Sequence, residues 1–90
     1  YAHYYRIETI GKEWLAKNDY RNAISVFSIN ADVFDWVASP FRHLAHAYML
    51  DSQYEMAIEN YSKVLEINPG DENAKAQLQE IATIKSKLSK

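Results

Sequence analysis

The sequence predicts an all-α fold, with two helical hairpins and a final covering helix stacked as a short solenoid of about five helices. Three observations point there. Apolar residues recur three and four apart along most of the 90 residues, the period of a helix with one buried face. Only two Gly and two Pro are present, which suits helices joined by short connections. The first half of the chain also reappears in the second at an offset of 34 residues. Tyr20 falls on Tyr54, Ala23 on Ala57, Ile24 on Ile58 and Phe27 on Tyr61. Upstream, Ile7 falls on Phe41, Ile10 on Leu44, Gly11 on Ala45 and Trp14 on Tyr48. Self-similarity at such a period marks stacked helical units, each burying its apolar face on the next.

The first helix is expected over Tyr1–Ala16, where Tyr4, Ile7, Ile10, Gly11, Trp14 and Leu15 share a side. Gly11 inside a helix costs about 1 kcal/mol relative to Ala, a cost explained by close approach of a neighbouring helix. Asn18 suits the left-handed end of this helix, and Asp19 suits the cap of the next. The second helix runs over Tyr20–Val33, with Tyr20, Ala23, Ile24, Phe27 and, at its end, Val33 on the inward face. Asn30 falls on that apolar stripe, and its amide is expected to bond backbone in the following connection. That connection, Phe34–Pro40, is too apolar for a solvated loop, so Phe34, Trp36 and Val37 should tuck between hairpins. Ser39 and Pro40 read as the cap and first position of the third helix, which continues through Phe41–Leu50. Asp51 or Ser52 should cap the fourth, Tyr54–Ile67, which Pro69-Gly70 ends. Asp71 should cap the fifth, Glu72–Leu88. Asp71 and Glu72 at its start and Lys85, Lys87 and Lys90 at its end have the signs that the helix dipole favours.

Composition narrows the function. The chain is 48% hydrophobic and 24% charged, within the range of a single globular domain. Its net charge of −2 argues against a nucleic-acid surface, which is normally basic. No apolar run of about 18 residues is present to span a membrane. Cysteine is absent, so there are no disulfides or thiolate metal sites. The opening YAHYYR, without Met, reads as part of a longer protein.

The repeating residues resemble the tetratricopeptide repeat (TPR) family. That pattern places a large residue, an aliphatic and a small residue, an aromatic, then Ala with an aromatic four on, then Pro. The second unit shows it as Phe41, Leu44-Ala45, Tyr48, Ala57, Tyr61 and Pro69, and the first as Ile7, Ile10-Gly11, Trp14, Ala23 and Phe27. The first departs at its end, with Asn30 in place of a small apolar residue and Asp35 in place of Pro. The resemblance implies a right-handed solenoid with one repeat over about 4–37, a second over about 38–71 and a capping helix over about 72–88. Small residues at Gly11, Ala23, Ala45 and Ala57 let helices approach to about 8–10 Å, and the aromatics fill the space between pairs. Residues 23–30 and 39–75 are also similar, more weakly, to TPR-like C-terminal tails of bacterial β-lactamase-like serine hydrolases.

The TPR resemblance implies a concave groove lined by the first helix of each pair, with a protein or peptide as its occupant. The groove candidates are Tyr5, Glu8, Lys12 and Leu15 on the first helix and Arg42, His43, His46 and Met49 on the third. Asn73 and Gln77 of the last helix extend the wall. The chaperone-tail clamp found in some TPR proteins needs a basic set. Here Glu8 stands where that clamp wants Lys, and Asn73 and Gln77 replace basic residues, so that ligand is rejected. His43 and His46 lie three apart on one helix but lack the further ligands a metal site needs, so no metal and no cofactor is expected. No Ser/His/Asp spacing, phosphate loop or carboxylate pair argues for catalysis. The expectation is a non-catalytic interaction scaffold. Its alternative is an assembly appendage packed on an upstream domain of a larger enzyme, a serine hydrolase by the weaker resemblance. The aromatic N-terminal edge would serve that contact, or self-association.

Overall fold

The computed structural model describes residues 2–89. Tyr1 and Lys90, counted above at the aromatic edge and the last helix end, lie outside the described residues, as do the side chains of Ala2 and His3. Five helices follow in order: α1 (Ala2–Ala16), α2 (Tyr20–Val33), α3 (Ala38–Leu50), α4 (Tyr54–Ile67) and α5 (Glu72–Leu88). Each packs on the next along the chain. There is no strand among the described residues. The fold is all-α, of TPR-type helical hairpins.

The 34-residue offset found in the side chains also holds in the backbone. α2 and α4 span equivalent positions. Asn18 and Ser52, also equivalent, both adopt left-handed φ, at 60° and 61°. Asp19 N–H donates to Trp14 C=O at 3.0 Å, and Gln53 N–H to Tyr48 C=O at 2.9 Å. At the other end of each hairpin, Phe34 N–H donates to Asn30 C=O at 2.8 Å and Asn68 N–H to Val64 C=O at 2.7 Å. Val37 N–H then reaches Phe34 C=O, and Asp71 N–H reaches Asn68 C=O, both at 3.1 Å. The same turns are built from different residues.

Two buried clusters form the core. Ala23, Phe27 and Ala31 of α2 meet Leu44 and Ala47 of α3. Ala45, Ala57, Tyr61 and Val64 meet Ala74 and Ile81 of α5. Phe41 and Tyr48 touch both clusters and join them. Gly11 is buried against Phe27: a Cβ built there would overlap the ring at Cε1, Cδ1 and Cζ. The helical glycine is therefore what lets α1 approach α2.

Asp19 and Asp71 cap as the sequence predicts, accepting from Asn22 N–H at 3.1 Å and Ala74 N–H at 2.9 Å. Two other expected caps are corrected. α3 starts at Ala38 after Val37, with no side-chain cap, so Ser39 and Pro40 lie inside its first turn. Pro is tolerated there because first-turn N–H groups lack intrahelical partners. α4 starts after Gln53, also without a side-chain cap. The left-handed backbone of Ser52 excludes it from that role, and Asp51 instead accepts from Gln53 Nε2 at 2.7 Å.

Asn30 is corrected too. Its Nδ2 donates to Tyr4 C=O of α1 at 2.9 Å, 26 residues upstream, rather than to the following connection. Trp36 does not tuck between hairpins and is 62% exposed. It sits at the outer corner of the turn closed by Val37 N–H on Phe34 C=O, while Phe34 and Val37 are half-buried.

Candidate functional site

Adjacent residues of α3 reach in opposite directions and tie three helices into one row. His43 Nε2 lies 2.6 Å from Glu8 Oε1 on α1. Arg42 Nη2 donates to Asp71 Oδ2 at 2.6 Å, at the cap of α5. The i, i+4 spacing puts Lys12 beside Glu8, with Nζ 3.3 Å from the same Oε1. The His43 ring stacks on Phe27 of α2, with centroids 5.4 Å apart and an interplanar angle of 20°.

The electrostatics follow from these contacts. Burial pushes the His43 pKa below its ordinary value of 6.5; the Glu8 carboxylate opposes this, but Lys12 and Arg42 add to it. The Glu8 charge is already shared with Lys12, so its pull on a His43 proton is weakened. The Asp71 carboxyl is held below its ordinary value first by the Ala74 N–H and then by the Arg42 guanidinium.

The ten predicted groove residues therefore separate into groups. Glu8, Lys12 and His43 meet in one cluster. Arg42 is paired with Asp71 and is only a third exposed at its side chain. Leu15 packs against the cluster around Phe27, and Met49 against the one around Tyr61. Both are half-buried. His46 and Asn73 are exposed and Gln77 is half-buried. Tyr5 departs from the row. It stands edge-on to Tyr4 at 5.1 Å and lines a cavity of about 140 Å³ with Tyr4, Phe34 and Val37 at the N-terminal edge. Among the described residues, no group of three or more His, Asp or Glu converges as a metal site. Sequence reasoning passed over Phe27 as the platform under His43 and Asp71 as the anchor of Arg42. Spacing carried no signal for either, because both contacts join separate helices.

A cleft of about 500 Å³ lies elsewhere, between the start of α4 and the end of α5. Tyr54, Met56 and Leu88 line it, with Lys85 paired to Glu55 at its wall.

The family model for the tetratricopeptide repeat matches residues 38–71, the segment holding α3, α4 and the Asp71 cap. Residues 38–71 are a tetratricopeptide repeat. The hairpin before it shares its turn geometry at an offset of 34 residues, as described above. TPR repeats commonly mediate protein–protein interaction and are generally non-catalytic scaffolds. No curated protein matches the chain. Among the described residues, no helix is long and apolar enough to cross a membrane.

Proposed function

We propose that the chain is a non-catalytic scaffold that binds a protein or peptide along the row of α1, α3 and α5. In this reading it is one domain, with repeats over about 4–37 and 38–71 and a capping helix over about 72–88. The supporting observation is the pair of bridges from α3, Glu8–His43 and Arg42–Asp71. They hold the three helices side by side while Lys12, His46 and Asn73 remain exposed, and a rigid, pre-ordered face loses less entropy on binding. Leu15 and Met49 supply apolar floor, and Gln77 extends the polar wall. The test is a peptide selection against the full chain, followed by Lys12→Glu with His46→Glu. Selected peptides should lose binding at least tenfold with circular dichroism unchanged. Peptides that bind the double variant as well as the parent place the site elsewhere. Arg42 is left intact because changing it would disturb α5.

A second reading has its own support. Tyr5 and Trp36 are 63% and 62% exposed, at the two ends of a run of ring contacts through Tyr4 and Phe34. This edge suits an assembly role against an upstream domain of the same protein, such as the catalytic domain of a larger enzyme, or against a second copy. Tyr5→Ser with Trp36→Ser would then weaken that association and leave peptide binding along the helix row untouched.

A further inference from the structure

We propose that His43 is a proton-controlled latch between the two hairpins, closed by stacking on Phe27 and contact with Glu8 and opened by acid. The proposal rests on the helix-row reading only for its consequence at the binding face. The latch itself rests on the geometry of three helices. α1 supplies Glu8 and Lys12, α2 supplies the Phe27 ring, and α3 supplies His43 with Arg42 beside it.

In the closed state His43 is neutral. Its Nε2–H donates to Glu8, and its flat face covers Phe27, whose ring also lies against the helical Gly11. A proton added to this ring meets a half-buried site. The single carboxylate facing it is already engaged by Lys12, and a second cation, Arg42, stands next in the chain. In solvent the same proton meets none of these costs. Acid therefore favours the arrangement in which His43 leaves Phe27 and Glu8. The Glu8–His43 bridge joins α1 to α3, so its release loosens the helix row. Lys12 and His46, on either side of that junction, would lose their fixed separation.

The sign follows from linkage. A histidine whose folded pKa is lowered contributes stability that is complete above its unfolded value, ordinarily about 6.5. That contribution is lost as pH falls through the folded value.

The experiment follows the His43 imidazole by NMR in the full chain between about pH 8 and about pH 4.5, the range in which histidine changes charge. The parent midpoint should lie below 6.5, with the amides of Lys12 and Phe27 moving at the same midpoint. Glu8→Gln removes the one group favouring the proton and should lower the midpoint further, whereas Lys12→Gln should raise it. His43→Gln keeps a donor near the Nε2 position and cannot titrate. It should abolish the Lys12 and Phe27 transition and reduce the drop in melting temperature on acidification. A parent midpoint at or above 6.5, a Glu8→Gln midpoint that does not fall, or Lys12 and Phe27 amides that ignore the His43 transition would each overturn the latch. None of these readouts uses a binding partner, so failure of the peptide selection leaves the latch standing, and the converse also holds.

Discussion

At the scale of single residues, two positions in the first hairpin decide how α1 sits on α2, and they act in opposite senses. Gly11 is required. Its backbone lies so close to Phe27 that an alanine methyl would overlap the ring, and Phe27 is itself fully buried between helices. The intrinsic helix gain from Ala, about 1 kcal/mol, is outweighed by the need to displace a packed aromatic, so Gly11→Ala should cost a net 1–3 kcal/mol or so. Chemical denaturation of the variant checks this; stability equal to or above the parent would show that the ring can yield. Asn30 is dispensable. Its Oδ1 is buried without a hydrogen-bond partner, a burden of about 1–3 kcal/mol. Its Nδ2 bonds Tyr4 C=O, a carbonyl inside α1. The equivalent position in the second hairpin is Val64, fully buried and apolar. Asn30→Val should therefore raise stability by about 1 kcal/mol, read as a higher denaturation midpoint at unchanged slope.

At the scale of elements, α5 is what closes the second hairpin. Ala74 and Ile81, seven apart on one face, are fully buried against Tyr61, Val64 and the small residues Ala45 and Ala57. Ile81→Ala should cost about 2–5 kcal/mol, measured by thermal unfolding; a smaller loss would mean that α5 does not share the core of α3 and α4. The helices were legible in the sequence because they rest on local periodicity and on a repeat. The bounds of α2, α4 and α5 agree with those read from residue pattern. The caps at Asp19 and Asp71 were legible for the same local reason. What escaped was set by contacts between elements. Arg42 meets Asp71 at the cap of α5, 29 residues on, and Asn30 finds its partner 26 residues upstream. The α3 start and the α4 cap were misassigned because Val37 and Gln53 supply no side-chain cap, so no residue type announces them. Of the candidate face, the helices were readable and the split between exposed and structural side chains was not. Leu44 and Ala47 of α3 are buried against α2, and their equivalents in α1 are Ile10 and Glu13. A helix stacked on α1 as α2 is stacked on α3 would bury the Glu13 carboxylate, so the two hairpins do not present equivalent outer faces.

At the scale of the whole molecule, three buried or half-buried titratable groups give the chain a pH profile with distinct limits. Asp71 ties the α5 cap to Arg42, and its pKa is lowered from about 3.8. Its stabilising contribution is full above that value and is lost as pH falls through the lower folded value. Asp71→Ala should therefore cost about 0.5–2 kcal/mol at neutral pH, the usual worth of an N-cap, and should flatten the acid limb below about pH 4. Tyr61 sets the alkaline limit. Burial raises its pKa from 10.0 to about 12, against a smaller opposing pull from Arg42. A phenol whose folded value is raised stabilises below its unfolded value and loses that contribution as pH climbs toward the folded one. The loss should therefore begin near pH 10 and reach on the order of 2–3 kcal/mol by about pH 12. Tyr61→Phe keeps the ring that fills the space among Ala57, Val64 and Ile81 and removes the ionisable group. Thermal melts of parent and variant at a series of pH values separate the effects. The two should run parallel from about pH 7 to about pH 9.5 and diverge above it, with the Phe variant the more stable. Parallel curves through that limit would mean that Tyr61 reaches water in the folded state, and the core assigned to the second hairpin would have to be redrawn.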